Sequence, residues 1–95
     1  MDKSEARKIL EEQLAQFAGR THSELVPLVE ARSIETCEVR GESGATYQIE
    51  FQFFWDDHAC DTIRVMGSID DGGLRAFFPL TDSLLIPRPK EVQNA

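Results

Sequence analysis

The densest group of chemistry-bearing side chains in this sequence is one short segment, Asp56, Asp57, His58, Cys60 and Asp61. Carboxylate, imidazole and thiolate are the usual zinc ligands, and they also serve acid–base and nucleophilic catalysis. The spacing weakens both uses. Asp56, Asp57 and His58 are consecutive, so their side chains diverge, and the order matches no finger or calcium loop. Cys60 stands two residues from His58, a separation that fixes no hydrogen bond in a loop, and acidic neighbours disfavour the thiolate. A second acidic pair, Asp70 and Asp71, precedes two glycines. In an antiparallel meander the two clusters fall at opposite ends of a strand, about 20 Å apart at ~3.3 Å per residue. A solvated loop and a hairpin turn are the plainer reading, with Asp56, His58, Cys60 and Asp61 as the only candidate metal ligands.

Elsewhere the reactive residues have simpler explanations. Cys37 falls on the apolar side of an alternating segment, which predicts a buried, inert thiol. His22 stands at a helix start and is expected to be exposed. No glycine-rich phosphate cradle is present. No catalytic residue and no cofactor are therefore assigned.

Composition narrows the function classes. The chain has 95 residues and a formal charge of −7. Residues 21–61 carry two bases and nine acids, while the segments before and after carry four of each, so the whole excess lies in the middle. An acidic chain without a Lys/Arg cluster repels phosphate backbones, which argues against nucleic acid as a partner. No stretch approaches the ~18 apolar residues of a membrane span, and the start, MDKSEARKIL, has no apolar signal core. Two cysteines are too few for a disulfide scaffold. A cytoplasmic location with reduced thiols is expected.

The elements that position these residues follow from periodicity. Ala6, Ile9, Leu10, Leu14 and Phe17 recur at three- and four-residue spacing, which predicts a helix over 3–18 capped by Asp2 and stopped at Gly19. A second helix is expected over 23–30. Thr21 and Ser23 compete as its cap, and Ser23 is preferred because it keeps Pro27 near the first turn. From residue 34 the period becomes 2. Strands are expected over 34–40, 45–55, 62–69 and 74–79. Turns are expected at Gly41–Gly44 and at Asp70–Gly73. Residues 80–86 read either as a short helical turn or as a last strand. The predicted fold is α+β: two N-terminal helices packed on one face of an antiparallel β-meander of about four strands. Residues 1–87 form one domain, and 88–95 an extended, mobile tail.

Alternation predicts the two faces of the sheet. Tyr47, Ile49, Phe51, Phe53 and Trp55 point to the helices. Gln48, Glu50, Gln52, Arg64, Met66 and Ser68 point away, joined by Phe54, an aromatic on the polar side of its strand. Aromatic residues and Arg anchor interfaces, and Met adapts to irregular ones. Phe54, Arg64, Met66, Gln52 and Glu50 are therefore the candidate partner-binding set.

The stretch IRVMGSIDDGGLRAFFPLTDSL (Ile63 to Leu84), with the preceding GATYQIEFQFFWD, resembles a family of short, uncharacterised bacterial proteins of about 90 residues. Its most specific part is GSIDDGG followed by RAF and PLTDS. Leu74 departs from the family, in which a Trp commonly stands there. The resemblance implies a self-contained bacterial domain and carries no activity, cofactor or catalytic residue.

The leading functional expectation is a small non-enzymatic interaction or accessory domain that binds another protein. One alternative is a metal-binding or hydrolytic protein using the 56–61 loop. The other is a subunit that forms a homodimer through its sheet.

Overall fold

The structure is a computed structural model that describes residues 2–72 and 79–89. Helix α1 spans Lys3–Ala18 and helix α2 spans His22–Glu30. Strands β1 (Ile34–Arg40), β2 (Thr46–Trp55), β3 (Thr62–Asp70) and β4 (Leu80–Pro87) follow. They form one antiparallel sheet in the order β1-β2-β3-β4, and the helices cover one face of it. This is the α+β meander that the change of period predicts.

Helix α1 begins where Asp2 Oδ1 accepts the Glu5 N–H at 3.1 Å, and Gly19 caps its end. The stripe Ala6, Ile9, Leu10, Leu14 and Phe17 is buried. Opposite it lie Tyr47, Ile49, Phe51 and Phe53 from β2 and Ile63, Val65 and Ile69 from β3. Phe17 sits at the centre, with edge-to-face contacts to Phe51 (4.9 Å) and Phe53 (5.6 Å). Gly67 lets α1 approach closely: a Cβ there would stand 2.8 Å from Leu10 Cδ1 and 3.3 Å from Phe51 Cε1.

Helix α2 departs from the expectation at its start. Thr21, not Ser23, is the cap, its Oγ1 accepting the Glu24 N–H at 3.1 Å. Pro27 therefore lies inside the helix. The hydrogen bond it removes would have ended on the Ser23 carbonyl, and Ser23 is exposed, so water can satisfy that group. The earlier start also corrects His22, which is buried rather than exposed. His22, Leu25 and Val29 are spaced by three and four residues and form one inward stripe.

The β2–β3 hairpin and the end of β4 are tied together at Asp61. Its carbonyl oxygen accepts from His22 Nε2 at 2.8 Å and from the Arg88 N–H at 2.9 Å, while its carboxylate pairs with Arg88 at 3.3 Å. A carbonyl only accepts, so Nε2 of His22 carries the proton.

Residues 80–86 resolve as strand, within β4. Ile69 pairs with Leu80, the last described pair between β3 and β4. The chain just after Asp70 bends as expected. Gly72 has φ +83°, and its N–H bonds to Asp70 Oδ1 at 2.9 Å. Most of the strand expected over 74–79, with Gly73, lies outside the described residues, as does the tail from 90. No helix among the described residues is long and apolar enough to cross a membrane.

Candidate functional site

The loop that looked most chemical uses its polar groups to hold itself in place. Asp57 Oδ1 accepts the N–H groups of Asp61 (2.9 Å) and Thr62 (3.3 Å). The Asp61 N–H bond, followed by that from Thr62, holds the Asp57 carboxyl below its ordinary range despite partial desolvation. Asp56 binds Arg64, and Asp61 binds Arg88. His58 is exposed, and Cys60 is exposed with φ +56°. Among the described residues the Cys60 thiol reaches only the His58 carbonyl, at 3.9 Å. Among the described residues no three His, Cys, Asp or Glu side chains come together as a metal-ligand group. Asp70 lies at the opposite end of β3, so the two acidic clusters do not combine. Cys37 is half-buried on the helix side of β1, and burial pushes its thiol pKa up, away from reactivity.

The outer sheet face brings the other candidates together. Phe54 pairs with Arg64, and Arg64 with Leu85. In the adjacent row Ile34 pairs with Gln52, Gln52 with Met66, and Met66 with Ser83. Directly paired side chains lie about 5 Å apart, so these two rows form one continuous surface roughly 14 Å wide. Three large hydrophobic residues are exposed among the described residues, Ile34 (58%), Phe54 (43%) and Leu85 (47%), and all three belong to these rows. Met66 lies between them, half-buried.

Arg64 is held in the middle of this patch. Its Nε and one terminal nitrogen meet Asp56 Oδ1 at 2.8 and 2.7 Å, and the other terminal nitrogen donates to Ser83 Oγ at 2.6 Å. A half-exposed pair of this kind adds at most about 1 kcal/mol, and its main effect is to orient the guanidinium. The opposite end of the same face is polar. Glu38, Gln48 and Asp70 form one row there, with Gln48 Nε2 donating to Glu38 Oε2 at 2.8 Å. Glu50 stands in the next row, and Arg40 at the far corner.

Of the predicted set, Phe54, Arg64, Met66 and Gln52 gather at the apolar end, while Glu50 lies toward the acidic end. Ile34 and Leu85 are additions. Ile34 shares the parity of Thr36, Glu38 and Arg40, so alternation along β1 already assigned it to the outer face. Leu85 was hidden by the unresolved choice between helix and strand over 80–86.

No protein-family model, curated protein or solved structure matches this chain.

Proposed function

We propose that this chain is a small non-enzymatic interaction domain whose outer sheet face docks on another protein, one presenting apolar side chains beside a basic rim. The observation that carries this reading is the gathering of Ile34, Phe54 and Leu85 at one end of a single sheet face. The exposed face of an antiparallel sheet ordinarily alternates to polar residues, and contiguous apolar patches mark contact surfaces. A fixed Arg at the centre and a Met beside it are the residue types that interface cores favour. The carboxylates of Glu38, Glu50 and Asp70 outnumber Arg40 at the other end, which selects a partner with complementary positive charge. Asp56, Asp57 and Asp61 of the 56–61 loop are engaged in holding the hairpin and the end of β4, which leaves the exposed His58 and Cys60 without such a role. Two free cysteines agree with a cytoplasmic setting.

The test compares partners co-purified with three forms of the protein: wild type, Phe54→Ser with Leu85→Ser, and a control with Glu11→Ala and Glu12→Ala on the exposed side of α1. A protein recovered with the wild type and the control, and lost from the outer-face variant, is the expected result. Equal recovery with all three, from variants shown by circular dichroism to be folded, would remove the face from consideration. Sedimentation showing a dimer that the outer-face variant abolishes would assign the surface to a second copy of the chain instead.

A further inference from the structure

Strand β2 outruns its neighbour. Its pairing with β1 ends at Ile34 and Gln52, and β2 continues through Phe53, Phe54 and Trp55. The direction of its peptide groups follows from its flanks. The Asp56 N–H donates to the Thr62 carbonyl at 2.7 Å, so even-numbered residues of β2 turn their peptide groups toward β3. The Gly41 N–H to Ala45 carbonyl bond, 2.8 Å, gives the odd-numbered residues to β1. Trp55 is odd-numbered and lies beyond the last residue of β1, so among the described residues no strand pairs with its N–H and C=O. This is a short open sheet edge of the kind that accepts an added strand.

A cleft of about 520 Å³ lies beside that edge, and its lining includes Val29, Arg32, Ile34, Phe54 and Trp55. The backbone of Arg32 is unusual. It has φ +51°, in the left-handed region where glycine is the common residue. The end of α2 holds it there: the Arg32 N–H bonds to the Val29 carbonyl at 3.1 Å and the Ser33 N–H to the Leu28 carbonyl at 2.9 Å. A Schellman end of this form ordinarily uses glycine at that position, and here it displays a guanidinium instead. Arg20, Arg64 and Arg88 have carboxylate partners, whereas among the described residues no hydrogen bond or ion pair engages the guanidinium of Arg32, nor those of Arg7 and Arg40, which lie away from the cleft.

We infer that this cleft binds the free C-terminus of an extended peptide with an apolar last residue. The open Trp55 peptide group takes the peptide backbone as a short added strand. The cleft between Val29, Ile34 and Trp55 takes the last side chain, and Arg32 takes the terminal carboxylate. Arg suits that role because its planar donors match a carboxylate, and the pairing is stronger than a neutral hydrogen bond. The site goes beyond the outer-face reading and stands without it. Ile34 and Phe54 border both surfaces, but Arg32 belongs to the cleft alone.

The probes are N-acetylated tetrapeptides ending in valine, leucine or phenylalanine, each made as the free acid and as the C-terminal amide, with hexanoate and 3-phenylpropionate as free small acids. Binding is read from Trp55 fluorescence and from amide NMR shifts. At least one free-acid peptide should bind saturably and move the Trp55 and Ser33 amide signals. Its amide counterpart should bind about tenfold more weakly or worse, the loss of one charge-assisted pair. Arg32→Gly should lose the same factor, and it places glycine where this helix end favours it, so the fold is retained. Equal binding of acid and amide would overturn the assignment, as would absence of any shift at Trp55. Small acids binding as tightly as the peptides would also overturn it, since the added strand would then contribute nothing.

Discussion

Phe53 and Phe54 are consecutive, chemically identical and on opposite faces of one strand, so the pair isolates what each face does. Phe53 is 3% exposed and touches Phe17 at 5.6 Å. Its replacement by Ala removes a buried ring and an edge-to-face contact, a loss of about 3–5 kcal/mol. Phe54 is 43% exposed. Its replacement leaves no closed cavity, because water fills the space, and only part of the transfer term is lost, about 1 kcal/mol. A chain of 95 residues has a total stability of about 5–14 kcal/mol at ~0.05–0.15 kcal/mol per residue. Phe53→Ala therefore brings it close to unfolding, whereas Phe54→Ala does not. Urea titration followed by far-ultraviolet circular dichroism measures both. With a slope of about 1–1.5 kcal/mol per molar, Phe53→Ala should lower the midpoint by roughly 2–5 M and Phe54→Ala by less than about 1 M. Comparable shifts would refute the division of the sheet into a core face and an exposed face. If Phe54→Ala is nearly neutral for stability and also weakens a recovered partner, the ring serves recognition and not folding.

Three further outcomes are expected. Gly67→Val puts a branched side chain against Leu10 and Phe51, where even a Cβ is crowded, and should cost about 1–3 kcal/mol; an unchanged melting temperature would mean that α1 does not sit so close to the sheet. Burial, and next the hydrogen bond at 2.9 Å to Glu5, push the Tyr47 phenol up to about 12. The folded chain thus keeps that proton while the unfolded chain, titrating near 10, loses it, so stability should fall as pH rises from about 10 to 12. Tyr47→Phe should flatten this dependence in urea midpoints taken across that range, and parallel curves would contradict the assignment. Arg32→Gly should leave stability unchanged or raise it by up to about 1 kcal/mol, since the left-handed backbone costs an L residue about that much and glycine nothing; a clear loss in the urea midpoint would show that the Arg32 side chain supports the fold.

Periodicity made most of this fold legible. The three- and four-residue spacing of α1 and the alternation of β2 and β3 each report one buried face, and those faces meet in the core. Where competing local rules applied, the sequence was less decisive. Pro27 argued for a later helix start, but the carbonyl it leaves unpaired belongs to the exposed Ser23, where water can bond it. Against the later start stand the Thr21 cap and burial of His22 in line with Leu25 and Val29. The reading of 80–86 stayed open because Leu80, Leu84, Leu85 and Ile86 fit a helical turn as well as a strand. Pairing with β3, a long-range contact, decides it. The outer patch was partly visible, through the parity of Phe54, Arg64 and Met66. The cleft was not. It depends on where β1 stops pairing and on the backbone angle of Arg32, and neither leaves a pattern in the residue types.

As proposed, the apolar end of the outer sheet face is a docking surface for another protein. Site-specific photocrosslinking tests it most directly, with benzoylphenylalanine placed at position 85 within the patch or at position 12 on the exposed side of α1. Irradiation in cells that natively express the protein should give a discrete crosslinked species from position 85 and none from position 12. A species formed from position 12, with none from position 85, would contradict the claim.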